Sequence, residues 1–124
     1  MDSYSGEYEV TNLINCCLGL IVIPKQVFHH SIPNNNTNDD IQDVGITEEN
    51  ITLLVDKQYG LRNIVGHIRN GIAHGNIEQR SENGEIVGLR IYDKDHATAP
   101  DNFSIEFTIE EFKNFAIRFS ELFV

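Results

Sequence analysis

Residues 61–75 read LRNIVGHIRNGIAHG, and the spacing of their side chains decides how the rest of the chain is organised. At about 100° per residue, Leu61, Ile64, Val65, Ile68 and Ile72 fall on one side of a helix, with Asn63, His67, Asn70 and His74 on the opposite side. Between them runs a stripe of Arg62, Gly66, Arg69 and Ala73, where small residues separate two arginines and permit a second helix to come close. Gly75 is placed to end the helix, because glycine accepts the left-handed conformation that closes many helices. His74 then stands among last-turn carbonyls, whose partial negative charge favours a protonated imidazole.

Before this helix, Val10, Leu13, Ile14, Cys17, Leu20 and Ile21 recur at helical spacing, so a first helix is expected over 7–23, stopped by Pro24. The adjacent Cys16 and Cys17 are badly placed to bridge each other and read as packing residues. Residues 29–46, rich in Asn and Asp, read as a polar loop, with His29 and His30 at its edge as a pair too isolated for a metal site. Thr47 caps an expected second helix, TEENITLLVDKQ, with Ile51, Leu54 and Val55 facing the core.

After Gly75 the pattern changes from helix to strand. Asn83-Gly84 is a hairpin turn between IEQRSE and EIVGLRIYD, and NFSIEFT supplies a third strand in which Phe103, Ile105 and Phe107 alternate with polar residues. Thr108 and Glu111 form a capping box for a final helix whose stripe is Ile109, Phe112, Phe115, Ala116, Phe119 and Leu122 or Phe123. The expected fold is mainly α: a single domain over 1–124, a bundle of about four helices with a small antiparallel β-hairpin or sheet (77–107) inserted before the last helix.

Composition restricts function. The 124 residues carry 19 carboxylates against nine Lys and Arg, a formal charge of −10, which argues against a surface that attracts nucleic acid broadly. Any such contact must be local. Four of the basic residues, Arg62, Arg69, Arg80 and Arg90, lie in or soon after the central helix, so a confined basic cleft in an acidic body is one reading and a solvated acidic surface the other. No apolar run approaches the roughly 18 residues of a membrane span, and the polar, acidic start lacks the features of a signal peptide. The expectation is a cytoplasmic protein with no membrane partner, in which the sequons at Asn35, Asn50 and Asn102 have no consequence. Neither a His-x-x-x-His pair, a carboxylate cluster at ligand spacing, nor a phosphate-cradling glycine loop is present, so no metal and no cofactor are expected.

The run Arg69-Asn70-Gly71-Ile72-Ala73-His74 resembles the motif of the HEPN superfamily, in which an arginine, often followed by a polar residue, is separated from a histidine by four to six intervening residues on one helix; here four intervene. LGLIVIPKQ at the end of the first helix, the polar loop and HIRNGIAHGNIE near mid-chain extend the likeness to small bacterial HEPN proteins over most of the length. The resemblance implies a helical bundle, an RNA-cutting toxin or defence effector, and catalytic roles for Arg69 and His74, with Asn70 beside them. It also implies an antitoxin or other protein inhibitor. HEPN toxins controlled by nucleotidyltransferase antitoxins carry a tyrosine two residues after the histidine; Asn76 stands there in this chain, which puts that control in doubt.

The chemistry stands beside the likeness. Metal-free cleavage of RNA needs a group to take the 2′-hydroxyl proton, a group to protonate the departing 5′-oxygen, and positive charge at the phosphate. His74 suits proton transfer because imidazole titrates near neutral pH, and Arg69 suits the phosphate because its planar fork donates several hydrogen bonds. One chain offers one of each in this motif, so a two-fold homodimer with two copies of the helix side by side is expected to complete the site. Arg62 lies on the approach stripe, and His67 reads either as a supporting residue or as a satisfied structural histidine. The alternative is a catalytically inactive HEPN module that binds a nucleotide, RNA or a protein partner; a plain structural bundle is the third reading.

Overall fold

A computed structural model describes residues 38–121. The expected helix over 7–23, Cys16, Cys17, His29 and His30 lie outside them. The described elements are α1 (Asn38–Asp43), a 3-10 turn (Glu48–Asn50), β1 (Ile51–Leu54), α2 (Leu61–Ala73), β2 (Ile77–Glu82), β3 (Glu85–Lys94), β4 (Asp101–Thr108) and α3 (Ile109–Ser120). The strands form one antiparallel sheet in the order β1-β4-β3-β2.

That sheet corrects the expected architecture. A bundle of four helices with a small β insertion is not what forms: among the described residues, three helices accompany a four-stranded sheet that includes a strand from before the central helix. The difference arises at 47–58. Thr47 does open a helical turn, with the side-chain oxygen of Asn50 accepting from the Thr47 N–H at 2.8 Å and its hydroxyl at 3.0 Å. The Asn50 amide, however, donates to the carbonyl of Glu106 at 3.0 Å and anchors the chain beside β4. Ile51–Leu54 then pairs with 103–105, so backbone groups a helix would satisfy internally are satisfied across the sheet. Val55, expected on the buried side of a helix, is 60% exposed. Within the segment expected as a polar loop, Ile41, Val44 and Ile46 are fully buried, and their burial draws α1 onto α2.

The hairpin and last helix follow the sequence pattern. Asn83 and Gly84 have φ of 53° and 82°, the two positive angles that a type I′ turn requires between Glu82 and Glu85. The Thr108 hydroxyl accepts from the Glu111 N–H at 3.1 Å and the Glu111 carboxylate accepts from the Thr108 N–H at 2.8 Å, closing the capping box of α3. Leu89 and Ile91 of β3 and Phe103, Ile105 and Phe107 of β4 face α2 and α3 in one core, where Phe107, Phe112, Phe115 and Phe119 are in ring contact. Among the described residues, no helix is long and apolar enough to cross a membrane.

Candidate active site

Helix α2 buries Leu61, Ile64, Val65, Ile68 and Ile72 against the core, as its spacing requires. The close approach it makes within the chain is at Gly71. A Cβ there would lie 2.5 Å from the carbonyl oxygen of Tyr92 and 2.7 Å from Cγ2 of Ile91, so only glycine lets the helix rest on the backbone of β3. Gly66, by contrast, has no described atom within 4 Å of its would-be Cβ and leaves its part of the stripe open.

The helix ends in a Schellman motif. The Gly75 N–H donates to the Ile72 carbonyl at 3.1 Å and the Asn76 N–H to the Gly71 carbonyl at 2.8 Å, with Gly75 at φ 72°. Asn76 is then fixed to the sheet, its carbonyl accepting from the Tyr92 N–H at 3.1 Å, and β2 begins at Ile77. This geometry leaves His74 as the exposed C-cap residue. Its side chain opens onto a cleft of about 460 Å³ whose described lining is His74, Asn76, Lys94, Asp95, His96 and Ala97. Because Asn76 is bonded to β3, whose last residue is Lys94, the end of α2 and the β3–β4 loop share this cleft.

His67 has a different environment. Its Nδ1 is 2.8 Å from Asp93 Oδ2, its Nε2 is 3.2 Å from Asp56 Oδ2, and its ring stacks on Phe103 at 4.8 Å with 8° between planes. Both ring nitrogens thus lie against a carboxylate oxygen. Asp93 is buried, and its other oxygen accepts from the Lys94 N–H at 2.9 Å. Burial would raise the Asp56 carboxyl, but the Gln58 N–H and the side chains of His67 and Asn63 outweigh it and hold the group below its ordinary value. His67 is therefore a clamp between α2, β3 and the turn after β1, and the structural reading of this residue is the one its contacts support.

The remaining expected residues divide. Arg69 and Arg62 sit half-buried on α2, and both are engaged in interactions. Asn70 is exposed, and its amide donates to Asp93 Oδ2 at 3.4 Å. Arg80 and Arg90 lie on the polar face of the sheet, not in the described lining of the cleft at His74. Arg80 pairs with Glu106 at 3.3 Å; Arg90 pairs with Asp101 at 2.7 Å and Glu78 at 3.2 Å. Burial would lower the Arg90 guanidinium, but its bonds to Asp101 and Glu78 raise it above the ordinary value. The basic groups in the described lining of the cleft are instead His74, Lys94 and His96. Sequence reasoning passed over Asp93, Lys94 and His96, although strand alternation places Asp93 in line with Leu89 and Ile91, an inward carboxylate that must find a partner.

Among the described residues, no group of three His, Cys, Asp or Glu side chains is placed to hold a metal ion. No curated protein and no solved structure matches the chain. The model of one protein family, described as HEPN pEK499 p136, matches residues 2–124. That match spans α2, the cleft and every described element, and the chain belongs to the HEPN superfamily, in the pEK499 p136 family.

Proposed function

We propose that this protein is a metal-independent endoribonuclease of the HEPN type, acting as a toxin or defence effector. The observation that carries the proposal is the delivery of His74: α2 ends so that the histidine of the Arg69-Asn70-x-x-x-His74 motif stands exposed at an open cleft, with Lys94 beside it. His74 exchanges a proton with the substrate, and Arg69 holds the phosphate through its fork. Five positions apart, Arg69 and His74 lie roughly 140° apart around a helix, on different sides. Two copies of α2 side by side, approaching along Gly66 and Ala73, bring the arginine of one copy to the histidine of the other. With Asn76 in place of the modifiable tyrosine, inhibition comes from a bound protein, and the acidic chain suits a partner with a basic face.

One observation favours a second reading, a silent HEPN module that binds a nucleotide, RNA or a protein: the Asn70 amide is turned towards Asp93 rather than into the cleft lining. Incubation of the purified protein with total RNA and a chelator separates the two. The ribonuclease reading expects cutting that His74→Ala abolishes; the silent module expects none.

A further inference from the structure

Proton transfer in RNA cleavage needs two groups, and the motif on α2 holds one histidine. The structure brings a second to the same cleft. His96 lies in the loop between β3 and β4 and shares the cleft of about 460 Å³ with His74 and Lys94. That volume is in the range of sites that hold a small ligand such as a nucleotide. We propose that His96 is the second proton-transfer residue of the site, so that each chain contributes its own acid and base; this rests on the ribonuclease reading above.

The loop is built to hold the ring. The Ala99 N–H donates to the His96 carbonyl at 3.0 Å, which closes a turn, and the Asn102 amide donates to Asp95 Oδ1 at 2.8 Å, which ties the loop to the start of β4. The Thr98 hydroxyl is 3.1 Å from His96 Nδ1. With Nδ1–H donating to the Thr98 hydroxyl oxygen, Nε2 is left to take a proton from substrate, and the same bond persists when the ring is the imidazolium that gives one. Among the described lining residues the one carboxylate, Asp95, accepts from the Asn102 amide, and His74, Lys94 and His96 are the groups able to carry positive charge beside a phosphodiester.

The reaction balances with these groups. One imidazole takes the 2′-hydroxyl proton as the 2′-oxygen bonds to phosphorus. The bond from phosphorus to the 5′-oxygen breaks, and the other histidine, as imidazolium, gives that oxygen a proton. The products are a 2′,3′-cyclic phosphate and a 5′-hydroxyl, and water returns both rings to their starting states. Lys94 faces the phosphate throughout as a point charge.

The test is single-turnover cleavage of an RNA oligonucleotide with chelator present, by wild type, His74→Ala, His96→Ala and His96→Gln. Each is assayed on the ordinary substrate and on one whose leaving 5′-oxygen is replaced by sulfur. His96 is exposed in a loop, so the variants retain the wild-type circular dichroism spectrum and melting. Each histidine variant loses about 10²- to 10⁴-fold in rate on the ordinary RNA. The sulfur leaving group needs no proton, so it restores one of the two alanine variants, the one lacking the acid, and not the other. Wild-type cutting with His96 variants equally fast overturns the assignment and leaves the ribonuclease reading standing. A slow His96→Ala with neither variant restored by sulfur also overturns it, reducing His96 to a positioning residue. RNA left intact by the wild type overturns both.

Discussion

Replacing His67 with alanine tests whether the clamp between two carboxylates holds α2 to the sheet. The substitution takes from Asp93 Oδ2 its partner at 2.8 Å and leaves the longer, weaker bond from the Asn70 amide at 3.4 Å. The side chains of His67 and Asp93 are 14% and 6% exposed, so the pair is little screened by solvent. Removing one partner of a buried pair costs about 3–5 kcal/mol. The lower end applies, because the Lys94 N–H still serves the other oxygen of Asp93. The stacked contact on Phe103 adds about 0.5–1.5 kcal/mol. Together these give a loss of about 4 kcal/mol, which urea unfolding followed by circular dichroism reads as a lower midpoint at unchanged slope. His67→Phe keeps a ring over Phe103 and recovers only the stacking part. Asp93→Asn and the double variant complete a cycle whose expected coupling is about 1.5–3 kcal/mol, as for a hydrogen bond to a charged group. A coupling below about 0.5 kcal/mol, the level seen for independent sites, refutes the clamp.

Gly71→Ala forces a Cβ to within 2.5 Å of the Tyr92 carbonyl and is expected to cost about 1–3 kcal/mol, read as a lower melting temperature. Gly66→Leu meets no described atom, so it leaves melting within a few degrees of wild type yet converts the proposed dimer to monomer in light scattering; a strictly monomeric wild type at micromolar concentration removes the basis for pairing α2. Asp56 has a folded pKa below its ordinary value of 3.8, so its contribution is present above that value and is lost as pH falls through the lower folded one. At 37% side-chain exposure this amounts to about 1 kcal/mol or less after solvent screening, and the stability gap between wild type and Asp56→Asn, measured by urea unfolding at stepped pH, closes only in that acid window.

Much of this was legible because the residues concerned carry local instructions. The five apolar residues of α2 and Gly75 define its buried face and its end, Asn83-Gly84 defines the hairpin, and Thr108 with Glu111 defines the start of α3. The strand at 51–54 was not legible, because Ile51, Leu54 and Val55 fit helical spacing and what decides otherwise is distant: β4 supplies the backbone partners, and Glu106 the carbonyl that Asn50 reaches. The short α1 was hidden for a similar reason, its buried Ile41 standing alone among polar neighbours. The helix pattern places His74 at the end of α2, whereas the company it keeps depends on how β3 runs beside that end. No spacing rule links residue 74 to residues 94 and 96. His67 shared a helix face with His74 in sequence, and only the inward position of Asp93 draws its ring into a clamp.

The central claim is that His74 moves a proton in metal-free cleavage of RNA, and the ends of the cut strands test it most directly. Purified wild type and His74→Ala are incubated with an end-labelled RNA in excess chelator, and the new termini are identified by mass spectrometry. The account predicts 2′,3′-cyclic phosphate and 5′-hydroxyl ends from the wild type, and a rate lower by about 10²- to 10⁴-fold in His74→Ala with folding unchanged. A need for added magnesium, 5′-phosphate ends, or wild-type cutting by His74→Ala contradicts it.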